Sequence, residues 1–158
     1  MQPLKNQASL LCASLLLLGL SPTASAQEEK TIPRALQGQI VTSTQEITVP
    51  TSPESFVKNI KKQDKNEILV DSEGKWVIHF VAFFSQALPQ EQMGIVVLNP
   101  KNEPIAVADV SGQKGQISLA SQITVSTTEF KGKAHTIQVY YPKGKQPKLL
   151  AKKQVVLK

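Results

Sequence analysis

Few residues in this chain have the type and spacing that chemistry requires. There are two histidines, His79 and His135, and one cysteine, Cys12. Two histidines far apart in sequence, without helical spacing and without a cysteine between them, do not make a zinc site. His79 lies inside an apolar run, where an imidazole ordinarily serves as a satisfied, semi-buried side chain. His135 opens a later strand-like segment, where a ring N–H donated to a backbone carbonyl would satisfy it. No serine sits in a Gly-x-Ser-x-Gly elbow. Asp71, Glu73, Glu91 and Glu103 fall in turn-forming or loop stretches, whereas glycoside chemistry needs two carboxylates facing each other across a cleft. The eight glycines are scattered, so no phosphate-cradling loop forms. These patterns argue against an enzyme, and they imply no cofactor and no metal.

The feature with most functional colour is electrostatic. Residues 131–158 hold eight lysines and no acidic residue, whereas residues 27–109 hold 8 basic and 11 acidic ones. Lys131 and Lys133 precede the segment Thr136–Tyr141. Lys143, Lys145, Lys148, Lys152 and Lys153 surround or follow the turn after it. Tyr140 and Tyr141 are neighbours, so on a strand one of them points outward. Lysines beside an outward tyrosine, taken as Tyr141, form a candidate contact for an anionic lipid or cell-wall polymer, because clustered charge steers encounter. The plainer role of such lysines is to keep edge strands from pairing with other chains. Nucleic acid is disfavoured, since this basic stretch contains no arginine.

The chain opens with the pattern of a secretory signal. Lys5 supplies a positive charge, Ala8 to Leu20 is apolar and leucine-rich, and Ser21-Pro22 breaks a helix. Ala24-Ser25-Ala26 then offers small residues for cleavage between Ala26 and Gln27. A spanning helix needs roughly 20 apolar residues, and this run is shorter. The reading is an exported, soluble protein, periplasmic or extracellular, with residues 1–26 removed. Cys12 leaves with them, so the remaining domain has no disulfide and depends on core packing. No later stretch is long and apolar enough to span a bilayer.

Residues 27–50 read as a flexible or extended lead-in, with short β-branched pieces at Gln39–Val41 and Glu46–Val49. Residues 51–158 read as the domain. Ser52 as N-cap, Pro53 at the first helical position and Glu54 beside the positive helix end predict a short helix over 53–63. Phe56, Val57 and Ile60 share its apolar face. Ile68–Val70 and Lys75–Ser85, separated by Asp71-Ser72-Glu73-Gly74, read as a hairpin. The second of these is apolar on both faces, as in a central strand covered on both sides, and the helix is the obvious cover for one of them. Further strands are expected at Ile95–Asn99, Ile105–Val110, Gln116–Ser126, Thr136–Tyr141 and Leu149–Leu157, separated by proline-, glycine- and asparagine-rich turns.

About seven short strands with such turns predict a mainly β antiparallel sandwich with one short helix packed on it. Over residues 67–158 this pattern resembles the immunoglobulin-like and fibronectin-type-III-like modules of bacterial exported proteins. Trp76 in an early strand and the segment Phe130–Tyr141 carry the resemblance. His135 or Ile137 stands where those families usually carry a tyrosine, and their paired cysteines are missing. The resemblance implies a fold and leaves the function open. The functional expectation is a monomeric, exported, non-enzymatic binding or structural module. One alternative is docking onto anionic envelope lipid or polymer through the lysine-rich hairpin. Another is a small inhibitor or chaperone of a second exported protein, acting through an exposed strand edge.

Overall fold

A computed structural model describes residues 32–48, 56–127, 129–143 and 146–158. The expected signal and its Ala26/Gln27 cleavage point lie outside the described residues, as do the expected cap Ser52, Pro53 and Glu54.

Among the described residues the chain is mainly β, with two sheets and one α-helix. The strands are β1 (Ile40–Ser43), β2 (Glu67–Ile68), β3 (Trp76–Phe83), β4 (Gln92–Leu98), β5 (Pro104–Ser111), β6 (Ser118–Val125), β7 (Ala134–Lys143) and β8 (Gln146–Leu157). One sheet has the order β1-β3-β6 and the other β2-β8-β7-β4-β5. Among the described residues there are thus eight strands where about seven were expected. The addition is β1, at the short β-branched piece Gln39–Val41; β2, where Ile68–Val70 was expected, is a two-residue strand lying parallel to the end of β8 through Glu67–Val156 and Ile68–Leu157. Among the described residues no helix is long and apolar enough to cross a membrane.

β3 explains the layering. Trp76, Ile78, Phe80 and Ala82 point between the two sheets, where they meet Ile95 and Val97 of β4, Ile137 and Val139 of β7, and Val155 and Leu157 of β8. Val81 and Phe83 point to the opposite face, into a second cluster with Leu36, Val41, Ile47 and Ile60. A strand that is apolar on both faces therefore has a covering layer on each.

The cover on the outer side is helix α1 (Phe56–Gln63). Ile60 is fully buried, and the Phe56 ring meets Phe83 edge-on with centroids 6.0 Å apart and planes at 81°. Lys58, Lys61 and Lys62 stay exposed on the far side. Eight residues cannot hold a helix in water, so this apolar contact is what keeps it folded. Burying an isoleucine side chain contributes about 1.5–3 kcal/mol.

One expectation is corrected. Ile68–Val70 and Lys75–Ser85 do not form a hairpin, because β2 belongs to one sheet and β3 to the other. The turn itself is present: Asp71 Oδ1 accepts the N–H groups of Glu73 and Lys75, and Gly74 takes φ +78°, which suits glycine. It carries the chain from one sheet to the other: Val70 N–H donates to the carbonyl of Lys158, the residue after β8. The described part of the lead-in supplies β1, which pairs antiparallel with β3, and Leu36, which is fully buried; Glu46–Thr48 forms no strand.

Candidate functional site

The lysines expected to act together are split by the fold. β7 and β8 form a long antiparallel hairpin with its tip at Lys143 and Gln146. Lys131 and Lys133 precede β7 at the far end, where Gly132 N–H donates to the Leu157 carbonyl. Nine residue steps of strand, about 30 Å at ~3.4 Å each, separate them from Lys143. Lys145 lies outside the described residues. The single basic patch of the sequence reading is therefore split between the two ends of one hairpin, with Lys152, opposite Gln138, midway along it.

Lys153 belongs to neither group. It pairs across β7 with Ile137, which faces the interior, so its stem points inward and its side chain is only 10% exposed. Its ammonium forms an ion pair with Asp64, the residue after α1. Tyr141 also leaves the surface. It alternates with His135, Ile137 and Val139 on the inward face of β7 and is 5% exposed, with the Lys148 ammonium 5.8 Å from its ring centroid. Tyr140, its neighbour, is the one that points outward. Among the described residues, Lys131, Lys133, Lys143, Lys148 and Lys152 form no ion pair with a carboxylate.

Tyr140 reveals the surface that sequence reasoning missed. It pairs with Gly94 of β4. A Cβ built on Gly94 would lie 2.4 Å from Tyr140 Cζ and 2.6 Å from its hydroxyl oxygen, so the ring occupies the space above the glycine. Gly94 is therefore not a turn residue: it sits within a strand because an aromatic ring approaches its backbone. Glycine inside an otherwise apolar strand was the available signal.

The outer face of the five-stranded sheet follows from strand registers. One row runs Asp109, Gly94, Tyr140, Leu149 across β5, β4, β7 and β8; the next runs Val107, Val96, Gln138, Lys152. Val107 is 61% exposed and Leu149 44% exposed, while Val96, Leu98 and Tyr140 are half-buried. The middle of the face is apolar, with Asp109 on the β5 side and Lys152 on the β8 side. The two sheets thus differ: α1 and the Leu36–Ile47 segment cover the outside of the three-stranded sheet, and no described element covers the outside of the five-stranded one.

The histidines occupy different surroundings. His79, half-buried, lines an open groove of about 400 Å³ with Glu46, Ile47, Ala120 and Gln122 on the outside of the three-stranded sheet. His135 is 1% exposed; its Nδ1 lies 2.9 Å from the Lys133 carbonyl oxygen, and its Nε2 has no hydrogen-bond partner. Among the described residues no group of three or more histidine, cysteine or acidic side chains is placed to hold a metal ion. Beside Lys131, Phe130 adopts φ +62° and the Lys101 ammonium lies 5.1 Å from its ring centroid. Comparison with protein-family models, curated proteins and solved structures gives no match.

Proposed function

We propose that this is an exported, non-enzymatic interaction module of the immunoglobulin-like kind, whose contact surface is the bare outer face of the five-stranded sheet. The observation that carries the reading is the exposure of Val107 and Leu149 on either side of the Tyr140 ring, in a sheet whose counterpart is covered. Contiguous apolar surface of this kind marks interaction sites. The strand orders support the fold part of the proposal. β3 and β6 lie together in one sheet and β5-β4-β7-β8 in the other, as strands B and E and strands C′, C, F and G do in variable-type immunoglobulin domains. Export rests on the leader pattern of residues 1–26.

A photo-reactive amino acid placed at Val107 in the producing cell tests the contact surface. Adducts at that position, with none at Lys61 on the exposed side of α1, are expected. Adducts at Lys61 and none at Val107 or Leu149 would overturn the assignment. A second reading, docking onto an anionic envelope surface, is favoured by Lys143, Lys148 and Lys152, which have no carboxylate partner among the described residues.

A further inference from the structure

We infer that the outer face of the five-stranded sheet is covered by a second copy of this chain, packed face to face about a twofold axis parallel to the central strands. This rests on the reading of that face as the contact surface and names its partner. The argument is self-complementarity, which an isologous interface requires because the same patch must serve both copies.

A twofold axis along the strands, midway between β4 and β7, sets β4 of one copy opposite β7 of the other and β5 opposite β8. Four relationships then follow from the registers. Lys152, in the row of Val107, comes opposite the Val107 of the other copy, whose Asp109 lies two residues along the same strand. The face carries one acidic side chain on its β5 rim and one basic side chain on its β8 rim, so the symmetry brings the two signs together twice. The exposed Val107 covers the stem of the opposing Lys152, and lysine stems pack well on apolar surface. Leu149, in the row of Asp109, comes opposite the Asp109 of the other copy. In the middle, the Tyr140 ring of β7 lies over Gly94 of β4, and the axis sets the strand of each ring opposite the β4 over which the other ring lies.

The remaining charges do not oppose this packing. Glu67 and Lys158, at the corner beside β2, are already paired at 2.6 Å. Gln138, Gln154 and Thr136 are neutral and half-exposed or exposed, and they supply polar groups around the apolar centre. Four strands about 4.8 Å apart, with seven residues of about 3.4 Å each, present on the order of 500 Å² per copy. Two such faces bury on the order of 1,000 Å², the size of a weak, reversible association. The domain is therefore expected to be a monomer when dilute and a dimer when concentrated.

Sedimentation of the domain from low micromolar to near-millimolar concentration reads the association. A monomer–dimer equilibrium is expected. Asp109→Lys and Lys152→Asp should each weaken it by roughly tenfold or more, and the double exchange should restore most of the loss. Circular dichroism confirms that each variant is folded; both positions are exposed. A domain that stays monomeric throughout overturns the dimer, as does a dimer indifferent to both single exchanges. The two readings fail separately in the cross-linking experiment at Val107. An adduct of twice the chain mass supports the second copy, an adduct with a different protein overturns the second copy alone, and no adduct on this face overturns both.

Discussion

The Asp64 carboxylate receives the Lys153 ammonium from β8 and, through the same Oδ1, the Thr42 backbone N–H from β1 at 2.9 Å. One side chain at the end of α1 thus ties the helix to both sheets. Thr42 and Lys65 complete the junction: Lys65 N–H donates to the Thr42 carbonyl at 2.7 Å, and the Thr42 hydroxyl donates to the Lys65 carbonyl. The two partners differ in burial, Lys153 being 10% and Asp64 31% exposed. Removing the carboxylate strands an ammonium that water reaches poorly, and it also frees a buried N–H. Removing the lysine leaves a carboxylate that keeps its N–H donor and can meet water.

The predicted outcome is therefore asymmetric. Asp64→Ala should cost about 2–4 kcal/mol in urea denaturation, since breaking one side of a buried pair leaves an uncompensated charge. Lys153→Met, which keeps the apolar stem, should cost less than about 1 kcal/mol. Equal losses from the two substitutions would show that the ion pair itself, rather than the desolvated ammonium, dominates.

The junction also shows where sequence reading stops. The apolar positions of β3 and α1 were legible because burial imposes a period on the residues themselves. Which strands share a sheet is set by partners distant in sequence, so a good turn at Asp71–Gly74 suggested a hairpin although it spans the two sheets. The same limit applies to charge. Lys153 looks like its neighbour Lys152 in the sequence, yet one strand position separates an inward ion pair from an outward rim. Tyr140 and Tyr141 divide in the same way: adjacency told that one faces out, and only the register of β7 on β4 and β8 told which.

Gly94 and Tyr140 should behave as a coupled pair. In the wild-type background Gly94→Ala places a methyl group in the ring and should destabilise the domain by about 1–3 kcal/mol, as overpacking does. With Tyr140→Ala already made, the space is open. Alanine should then match or exceed glycine, which carries an entropic penalty of about 0.5–1 kcal/mol inside a strand. A double-mutant cycle from denaturation curves reads the coupling. Additive effects would mean that the ring does not rest on the glycine.

His135 offers a test of an imperfect core. Its Nδ1 faces the Lys133 carbonyl oxygen at 2.9 Å, so the proton sits on Nδ1 and the buried Nε2 is left as an acceptor without a donor. An unsatisfied buried polar atom costs about 1–3 kcal/mol, while the lost neutral hydrogen bond is worth about 1 kcal/mol. His135→Leu, similar in volume and without polar atoms, should leave stability unchanged or raise it by up to about 2 kcal/mol. That gain would lift the melting temperature by several degrees. His135→Ala should instead lose about 2 kcal/mol or more to a cavity. A large loss from the leucine variant would point to a buried donor, such as a water, on Nε2.

The division of the lysines into two ends makes the anionic-surface reading testable by position. Docking through the hairpin tip requires Lys143 and Lys148, with Lys152 further along β8; Lys131 and Lys133 are about 30 Å away along the strand and cannot touch the same flat surface while the hairpin stands upright on it. Replacing Lys143 and Lys148 by glutamine should then abolish retention on anionic vesicles at low salt, while replacing Lys131 and Lys133 should leave it nearly intact. Retention should also fall steeply as ionic strength passes about 0.1 M, where the Debye length shrinks to roughly 10 Å. If both pairs of substitutions weaken binding equally, the hairpin lies flat and its whole length makes contact. If neither does, the lysines act as charged protection of a strand edge, and the outer face of the sheet remains the contact surface.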